Sequence, residues 1–316
     1  MSTEKKLTDS SRTNTLSVIW NVTNKCPWQC KFCIMDAGMD CSKKELVMKE
    51  KLKICENIDI KNVRIDFSGG EFMLEKDNHF KLIKVMSQKF GKANIGISTS
   101  GYGIGENEAE FLASKVSDVE MTMDAVPGVK YPYRQDEYHR MAGQAVKVLK
   151  KHGICVGLQT VLTKEHLRNE SLLENLLQWM TDNHVDKWSL IRYFSYGRGH
   201  RFQNLEMSEE ENCQVVSFVK ELCNKDRNAP ELDIHYLLPG SLKDGSCRCV
   251  KKSVGILPDG SVTSCFWGLN ENGSIKDDRF YLGNLLEKPL SEILQSENAK
   301  YWNGYCGDCP ILKNRR

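Results

Sequence analysis

The sequence lacks several features that would place the protein in a membrane, outside the cell or on nucleic acid. It has no run of about 18 apolar residues, so no membrane-spanning helix is expected. The first 14 residues are polar and contain no apolar segment of the kind that secretory signal peptides carry. The formal net charge is only +2, without the basic excess typical of nucleic-acid-binding proteins. These absences predict a cytoplasmic protein with neither a membrane nor a nucleic-acid partner.

Cysteine, by contrast, is abundant. The chain has 13 cysteines in 316 residues, and in the reducing cytoplasm clustered cysteines bind metal more often than they form disulfides. Cys26, Cys30 and Cys33 form a C-x3-C-x2-C group. A structural zinc ion takes four protein ligands, and a [4Fe–4S] cluster normally takes four thiolates. Three thiolates therefore indicate a cluster with one iron left for a ligand that is not part of the protein.

Strand-like and helix-like segments alternate from residue 15 to about residue 235. The segment 42–58 is predicted to be a helix, with Ser42 as its N-cap and Glu45 at the capping-box position. Six segments have the composition of strands: 15–23, 63–68, 93–100, 119–124, 154–163 and 187–194. The alternation predicts an α/β fold with parallel strands, namely a curved, partial open (β/α)6 barrel of the TIM type. Ligands of such a fold bind at the C-terminal ends of the strands.

The pattern changes after residues 209–225, which are predicted to form a helix. The remaining residues include an Asp-Gly turn at 259–260 and five cysteines, but too few apolar side chains for a core of their own. We therefore divide the chain into a polar tail (1–14), a main domain (15–235) and a small cysteine-rich module (236–316). A C-x2-C pair beside a cysteine-bearing hairpin is also typical of zinc ribbons, so a structural zinc is the alternative to a cluster in the module.

Glycine and polar residues follow the predicted strands at their C-terminal ends. After the second strand, Gly69 and Gly70 allow the backbone to approach a ligand closely, and Glu71 offers a carboxylate to a cationic group. The third strand ends in residues 98–100, whose hydroxyl groups are of the kind that bind a ribose, and the fourth ends in Asp124. We expect these residues to surround one ligand site together with the three cysteines.

These motifs resemble those of the radical S-adenosylmethionine (SAM) superfamily. The family's C-x3-C-x-aromatic-C and Gly-Gly-Glu motifs are matched by Cys26, Cys30, Phe32, Cys33, Gly69, Gly70 and Glu71. The resemblance implies a [4Fe–4S] cluster bound by the three cysteines, whose fourth iron is chelated by the amino and carboxylate groups of SAM. It also implies that the Gly-Gly-Glu segment receives the amino group and that the aromatic residue lies near the adenine.

Other segments match the family less closely. Residues 99–101 read Thr-Ser-Gly where the family usually has Thr-Asn-Gly near the ribose, and residues 122–124 echo its Ser-x-Asp-Gly motif. The family's arginine in the following helix corresponds to Arg140 or to Arg134. The cofactor-binding residues that the strand ends and the resemblance together indicate are Phe32, Gly69, Gly70, Glu71, Ser98, Ser100, Asp124 and Arg140.

The C-terminal residues resemble the twitch form of the SPASM extension of this superfamily. Cys249 is followed by ten residues, Gly260, four further residues and Cys265, and Cys306 and Cys309 close the pattern as a C-x2-C pair. The resemblance implies one auxiliary [4Fe–4S] cluster bound by these four cysteines. Residues 195–199, SYGRG, resemble a loop that often lies between the two modules.

The resemblance implies a radical SAM enzyme. Such an enzyme reductively cleaves SAM to a 5′-deoxyadenosyl radical, which removes a hydrogen atom from an unactivated carbon. The expected substrate is a peptide or a sugar- or aminoglycoside-like small molecule, and the expected electron donor is a low-potential protein such as flavodoxin or ferredoxin. Oxidation, cross-linking and epimerisation remain open as outcomes, with Cys247 as the candidate hydrogen-atom donor for epimerisation. The alternative is a non-catalytic metal-binding protein with a structural zinc in its C-terminal module.

Overall fold

The computed structural model describes residues 15–40, 44–241, 247–270 and 272–313. Its strands are β1 (Leu16–Asn21), β2 (Val63–Ser68), β3 (Ile95–Thr99), β4 (Asp118–Thr122), β5 (Cys155–Leu162), β6 (Lys187–Arg192), β7 (Glu231–Ile234), β8 (Ser253–Ile256), β9 (Ser261–Thr263) and β10 (Tyr281–Asn284). Its α-helices are α1 (Met48–Asn57), α2 (Lys76–Phe90), α3 (Glu106–Lys115), α4 (Asp136–Lys151), α5 (Lys164–Arg168), α6 (Ser171–Asp182), α7 (Glu209–Lys225), α8 (Leu290–Ile293), α9 (Glu297–Gly304) and α10 (Pro310–Lys313). None of the helices within the described ranges is long and apolar enough to cross a membrane.

All the strands belong to one sheet, in the order β10-β9-β8-β1-β2-β3-β4-β5-β6-β7. Each pair of neighbours from β1 to β7 is parallel, because a helix connects one strand to the next. The sheet does not close on itself, so the prediction of an open partial barrel is confirmed. The structure adds β7 beyond the six predicted strands, at the edge of β6.

The C-terminal hairpin continues the same sheet. Strand β8 pairs in parallel with β1, and β9 and β10 then pair antiparallel to their neighbours. Gly260, in the predicted Asp-Gly turn between β8 and β9, has a φ of +86°, which a glycine adopts without strain. The first strand of the module is therefore joined to the main domain by main-chain hydrogen bonds. The boundary near residue 235 stays a proposal about how the chain is organised.

The strands alternate between two faces with different chemistry. Val63, Ile65 and Phe67 of β2 are buried among the core residues, whereas Arg64 and Asp66 line a cavity on the inner face. Burying a Val, Ile or Phe side chain contributes roughly 1.5–3 kcal/mol, so this outer face fixes the register of the sheet. The polar inner face is left for ligands.

The first helix begins later than its sequence pattern predicts. Helix α1 starts at Met48, and the Glu50 side chain accepts a hydrogen bond from the Val47 N–H at 2.9 Å, which caps the helix. Glu45 lies before the helix and accepts hydrogen bonds from Thr23 Oγ1 at 2.9 Å and from the Asn24 N–H at 2.6 Å. The predicted N-cap, residue 42, lies outside the described residues. The capping-box assignment of Glu45 is thus wrong, because its carboxylate binds the chain that follows β1.

Candidate functional site

A cavity of about 960 Å³ lies on the inner face of the sheet and reaches the C-terminal strand ends. This volume is in the range of small-molecule and cofactor sites. Of the residues that the sequence analysis selects, the cavity is lined by Cys26, Cys30, Phe32, Cys33, Gly69, Gly70, Ser98 and Ser100. The predicted convergence of the cysteine loop with the ends of β2 and β3 is therefore present in the structure.

The cysteine loop, residues 22–40, supplies three thiols to this cavity. Cys26 and Cys30 are buried and Cys33 is partly exposed. Burial raises the pKa of Cys26 to about 12 and also raises the pKa of Cys30. A buried thiol gives up its proton when a metal ion compensates the thiolate charge. This donor set fits the cluster that the resemblance implies, with three thiolates on three irons.

The two glycines after β2 pack against the cysteine loop itself. A Cβ on Gly69 would lie 2.6 Å from the Thr23 carbonyl oxygen, and one on Gly70 would lie 2.4 Å from the Lys25 carbonyl oxygen. The Gly70 N–H also donates a hydrogen bond to the Thr23 carbonyl at 2.7 Å. No larger residue fits at either position without moving the loop. The two glycines were expected to let the backbone approach a ligand closely. In the structure they let the chain after β2 approach the cysteine loop, and both segments line the cavity.

Glu71 does not offer its carboxylate to the cavity. The residue is 1% exposed, and its two oxygens accept hydrogen bonds from Thr99 Oγ1 at 2.5 Å, from the Ser100 N–H at 2.8 Å and from Ser100 Oγ. The Met73 N–H donates a fourth hydrogen bond at 2.8 Å. Burial raises the pKa of this carboxyl, although its donors favour the ionised form. The side chain therefore ties the end of β2 to the end of β3, behind the glycines.

The serines at the end of β3 differ in their surroundings. Ser98 lines the cavity and is partly exposed. Ser100 is 6% exposed, and its hydroxyl accepts a hydrogen bond from Trp28 Nε1 at 2.7 Å. Because Ser100 is also bonded to Glu71, it links the cysteine loop to the ends of two strands. Its contact with a ribose stays a prediction.

A buried ion pair between Arg134 and Asp124 lies beside Cys30 at the edge of the cavity. Arg134 Nε donates to the Asp124 carboxylate, and Arg134 Nη1 donates to Cys30 Sγ at 3.1 Å. The guanidinium group lies over the rings of Phe32 and Tyr138, 4.8 Å and 4.3 Å from their centroids. Although burial alone would raise it, the pKa of the Asp124 carboxyl is held well below its usual range by Arg134 and His139.

The structure places Arg134, and not Arg140, beside Asp124 and Cys30. Arg140 pairs with Glu137 on the surface of α4, and 56% of its side chain is exposed. The side chain of Arg134 is 6% exposed and lines the cavity. The sequence leaves both Arg140 and Arg134 as matches for the family's arginine, and the predicted set of cofactor-binding residues takes Arg140, which lies within α4. Arg134 precedes α4, in a loop whose course the sequence pattern does not predict.

A second arginine, which the sequence analysis did not select, braces the cysteine loop from outside. Arg198 donates hydrogen bonds to the Cys30 carbonyl at 2.9 Å, to the Ala37 carbonyl at 2.5 Å and to Asp36 Oδ1 at 2.9 Å. Its own N–H donates to the Cys33 carbonyl at 2.9 Å. The SYGRG segment therefore contacts the cysteine loop directly. Its Gly-Arg-Gly sequence is the signal that could have identified it.

The C-terminal cysteines form a second group. Cys247, Cys249 and Cys309 are buried, Cys265 is partly exposed and Cys306 is exposed. Within the ranges that the structure describes, no three His, Cys, Asp or Glu side chains are already arranged to hold a metal ion. Four thiols nevertheless suit a cubane iron–sulfur cluster, which is held by cysteine thiolates.

Two family models match this chain. The model described as the radical SAM superfamily covers residues 20–177, and the SPASM model, described as an iron–sulfur cluster-binding domain, covers residues 247–310. The first match spans half of the 316 residues and includes the cysteine loop, the glycine pair and Arg134. The second includes all five C-terminal cysteines and favours iron–sulfur over the zinc alternative.

Curated relatives and solved structures agree with these matches. The chain is 32% identical to the pre-heme d1 synthase of Dinoroseobacter shibae over 58% of its own length, but it spans only 45% of that protein. It is 24% identical to the Fe-coproporphyrin III synthase of Methanosarcina barkeri, over 94% of this chain and 77% of that protein. The structure of Streptococcus suis SuiB bound to S-adenosylmethionine has the same fold, with a TM-score of 0.75 at 13% identity over 96% of this chain and 75% of SuiB.

A structure of anSMEcpe with bound AdoMet also has this fold, with a TM-score of 0.68 at 18% identity over 91% of this chain and 82% of that chain. The cofactors of the family are a [4Fe–4S] cluster and SAM, together with auxiliary iron–sulfur clusters in the SPASM domain. The cysteine loop, the glycine pair and the matching family models all lead to one assignment. The protein belongs to the radical SAM superfamily of enzymes and carries a SPASM-type iron–sulfur module at its C-terminal end.

Proposed function

We propose that this protein cleaves SAM reductively at a cluster held by Cys26, Cys30 and Cys33, and uses the product to take a hydrogen atom from an unactivated carbon. The observation that carries the proposal is the convergence of three thiols, two close-packed glycines and a buried arginine on one cavity. When bound and reduced, the cluster supplies the electron that breaks a carbon–sulfur bond of SAM and releases a 5′-deoxyadenosyl radical.

The residues around the cavity suggest how SAM is held. The carboxylate of Glu71 is already occupied by protein donors, so we assign the amino group of SAM to main-chain oxygens of Gly69 and Gly70. We assign its carboxylate to Arg134, whose charge is fixed in place by Asp124. Phe32 and the other aromatic side chains on this wall exclude water from the reacting centre, which protects a reactive intermediate.

The substrate is proposed to be a peptide or a small molecule. The peptide proposal draws on the fold that this chain shares with anSMEcpe bound to the Cp18Cys peptide and with SuiB bound to its precursor peptide SuiA. A tetrapyrrole is the second candidate, because two relatives are named as pre-heme d1 and Fe-coproporphyrin III synthases. The cavity is also lined by charged residues such as Asp66, Glu120 and Lys187, which suit a polar substrate.

The auxiliary cluster is proposed to accept an electron from the substrate radical, which gives oxidation or cross-linking. A low-potential flavodoxin or ferredoxin is the proposed electron donor, in a cytoplasmic setting that keeps the thiols reduced. Epimerisation would instead require a hydrogen-atom donor that faces the substrate.

The proposal is tested by anaerobic reconstitution with iron and sulfide, followed by dithionite, SAM and an assay for 5′-deoxyadenosine. We expect 5′-deoxyadenosine from the loaded protein and none from the Cys30→Ala variant. A fully loaded protein that forms none would overturn the proposal. Peptides and porphyrins are then added separately, and the class that accelerates 5′-deoxyadenosine formation identifies the kind of substrate.

A further inference from the structure

The cavity extends well beyond the residues that are assigned to SAM. It is also lined by the first residue of each of β4, β5, β6 and β7, namely Asp118, Cys155, Lys187 and Glu231, so it runs along the whole inner face of these strands. We call the cavity-lining side chains of β2 and of β4 to β7 the charged wall. An inference about this wall rests on the proposed function, because the wall and the SAM site share one cavity.

The charged wall carries five carboxylates and only two cations, and both cations are already paired. Arg64 Nη2 lies 2.7 Å from an oxygen of Asp66 and 2.7 Å from an oxygen of Asp118. Lys187 Nζ lies 3.3 Å from Asp233 Oδ2. These pairs use the positive charge of the wall, so the wall has an excess of negative charge to offer to a ligand.

Glu120, near the middle of the wall, is bonded to a neutral group. Its Oε2 accepts a hydrogen bond from Gln159 Nε2 at 2.7 Å, whereas the Lys187 ammonium group pairs with another residue. The Glu120 side chain is partly exposed and lines the cavity. Burial raises the pKa of this carboxyl, against the lowering effect of Lys187. A carboxylate in such surroundings binds most strongly to a charged donor.

Gly157, on the neighbouring strand, keeps space open beside this carboxylate. It pairs in register with Glu120 on one side and with Lys187 on the other. A Cβ at Gly157 would lie 3.2 Å from Glu120 Cγ, 3.6 Å from Glu120 Oε1 and 3.8 Å from Lys187 Cβ. The position that any other side chain would fill is therefore left for an atom of a ligand.

A hydroxyl group in the next layer of the sheet has no partner. Ser189 is 3% exposed, and its hydroxyl forms no hydrogen bond with any residue in the described ranges. Ser189 pairs in register with Gln159 and with Asp233, which both line the cavity. It shares the inner face with Lys187, because alternate residues of a strand lie on the same face. Buried hydroxyl groups are rarely unpaired, so this one independently indicates that a polar ligand completes the wall.

We propose that the charged wall binds a primary ammonium group of the substrate, with the Glu120 carboxylate as its counter-charge and Gln159 holding that carboxylate in place. Glu120 precedes Asp124, at the SAM end of the cavity, by four residues, or about 13 Å of extended chain. The ammonium group is therefore several bonds away from the carbon that loses its hydrogen, and it anchors the substrate. Basic peptides and amino sugars share this group. A tetrapyrrole with carboxylate side chains is disfavoured, because the cations of the wall are paired.

The first test uses matched probes that differ in the charge of one amine, and it needs no substitution. Isothermal titration calorimetry measures their binding to the anaerobically reconstituted protein in the presence of SAM. The probes are the tripeptide acetyl-Ala-Lys-Ala-amide with its Nε-acetyl form, and glucosamine with N-acetylglucosamine. We expect the free amine of at least one pair to bind about tenfold more tightly than its acetylated form, and that pair identifies the source of the amine. Equal binding within both pairs, or no binding of either amine, overturns the proposal.

The second test removes the charge of Glu120 and keeps its size. Glu120→Gln should weaken binding of the amine by about tenfold and leave binding of the acetylated form unchanged. Glu110→Gln, on the exposed surface of α3, is the matched control and should bind both probes as the unaltered protein does. Unchanged amine binding in a Glu120→Gln variant with a native circular dichroism spectrum overturns the proposal. Both tests measure binding without SAM cleavage, so a protein that binds the amine and forms no 5′-deoxyadenosine would contradict only the proposed function.

Discussion

Replacing Arg134 by methionine should leave a buried carboxylate without its counter-charge. Asp124 is fully buried, and its carboxylate accepts hydrogen bonds from Arg134 Nε and from the Val161 N–H at 2.9 Å. Removing one partner of a buried ion pair costs about 3–5 kcal/mol, because the remaining charge stays desolvated. Two unit charges ~4 Å apart at an effective dielectric constant of ~20 attract by ~4 kcal/mol, which agrees with this range.

A double-mutant cycle separates the ion pair from the other contacts of Arg134. Asp124→Asn in the Arg134→Met background removes the stranded charge, so the double variant should be more stable than the sum of the single effects predicts. We expect a coupling energy of at least about 2 kcal/mol. Additive effects would mean that Arg134 acts through its packing against Phe32 and Tyr138 and not through its charge.

The unfolding free energy lost in Arg134→Met should also depend on pH, and the direction of this dependence follows from the burial of Asp124. Without Arg134, burial is expected to raise the pKa of Asp124 above its unfolded value, so this group then destabilises the fold as pH rises through the folded pKa. The stability difference between Arg134→Met and the unaltered protein should therefore be smaller at about pH 5 than at about pH 8.

The assay is urea unfolding of protein freed of iron by a chelator, followed by tryptophan fluorescence. Arg140→Met is the matched control, since its pair with Glu137 is more than half exposed on both sides and should be worth at most about 0.5 kcal/mol. In the reconstituted enzyme, Arg134→Met should abolish SAM-dependent 5′-deoxyadenosine formation, and Arg140→Met should retain it. The reasoning fails if Arg134→Met unfolds within about 1 kcal/mol of the unaltered protein, or if Arg140→Met is the variant that loses activity.

Three further predictions concern other contacts around the cysteine loop and the core. Gly70→Ala places a methyl group 2.4 Å from the Lys25 carbonyl oxygen and should lower the iron content of the purified protein, whereas Gly304→Ala, with no atom within 4 Å, should leave it unchanged. Arg198→Ala removes three side-chain hydrogen bonds to the loop and should speed the loss of iron to a chelator, with Arg198→Lys intermediate; equal rates in all three proteins would refute a bracing role. Burial lowers the pKa of His79 to about 4, below its unfolded value, so its contribution to stability is complete above about pH 6.5 and is lost as pH falls towards 4. About 2 kcal/mol of unfolding free energy should disappear between about pH 7.5 and 5, and a His79→Gln variant should lack this part of the pH dependence.

Strands β1 to β6 could be predicted from the sequence, because their patterns are local. In β2 the alternation of Val63, Ile65 and Phe67 with polar residues gives both the strand and its buried face. The chain between β1 and α1 was not predictable in the same way. Glu45 has the spacing of a helix-capping residue, and only the fold shows that its carboxylate binds the Asn24 N–H.

In the candidate site, too, the local motifs could be predicted from the sequence and the contacts between distant segments could not. The three cysteines and the glycine pair are adjacent in sequence and form recognisable motifs, so they could be selected before the fold was known. The roles of individual side chains were harder to predict, because they depend on contacts between distant segments. Glu71 matched its motif, and yet it is buried, with its carboxylate bound by Thr99 and Ser100. Arg134 donates a hydrogen bond to Cys30, which is 104 residues away in the sequence, so no short sequence motif could have predicted this contact.

The cysteine loop owes its shape to these distant contacts. Between the end of β1 and the start of α1 the described residues contain no helix or strand, so the loop has little regular hydrogen bonding of its own. Contacts with four other segments hold it, through Glu45, Gly70, Arg134 and Arg198. We expect the loss of one contact to change the relative positions of the three thiols, while the buried outer face of the sheet keeps its own packing. Substitutions of Glu45, Gly70 or Arg198 should therefore release the cluster well before they unfold the chain, and iron content will report on them more sensitively than thermal stability. Arg134 differs, because its loss also strands the buried Asp124 carboxylate and should lower both quantities.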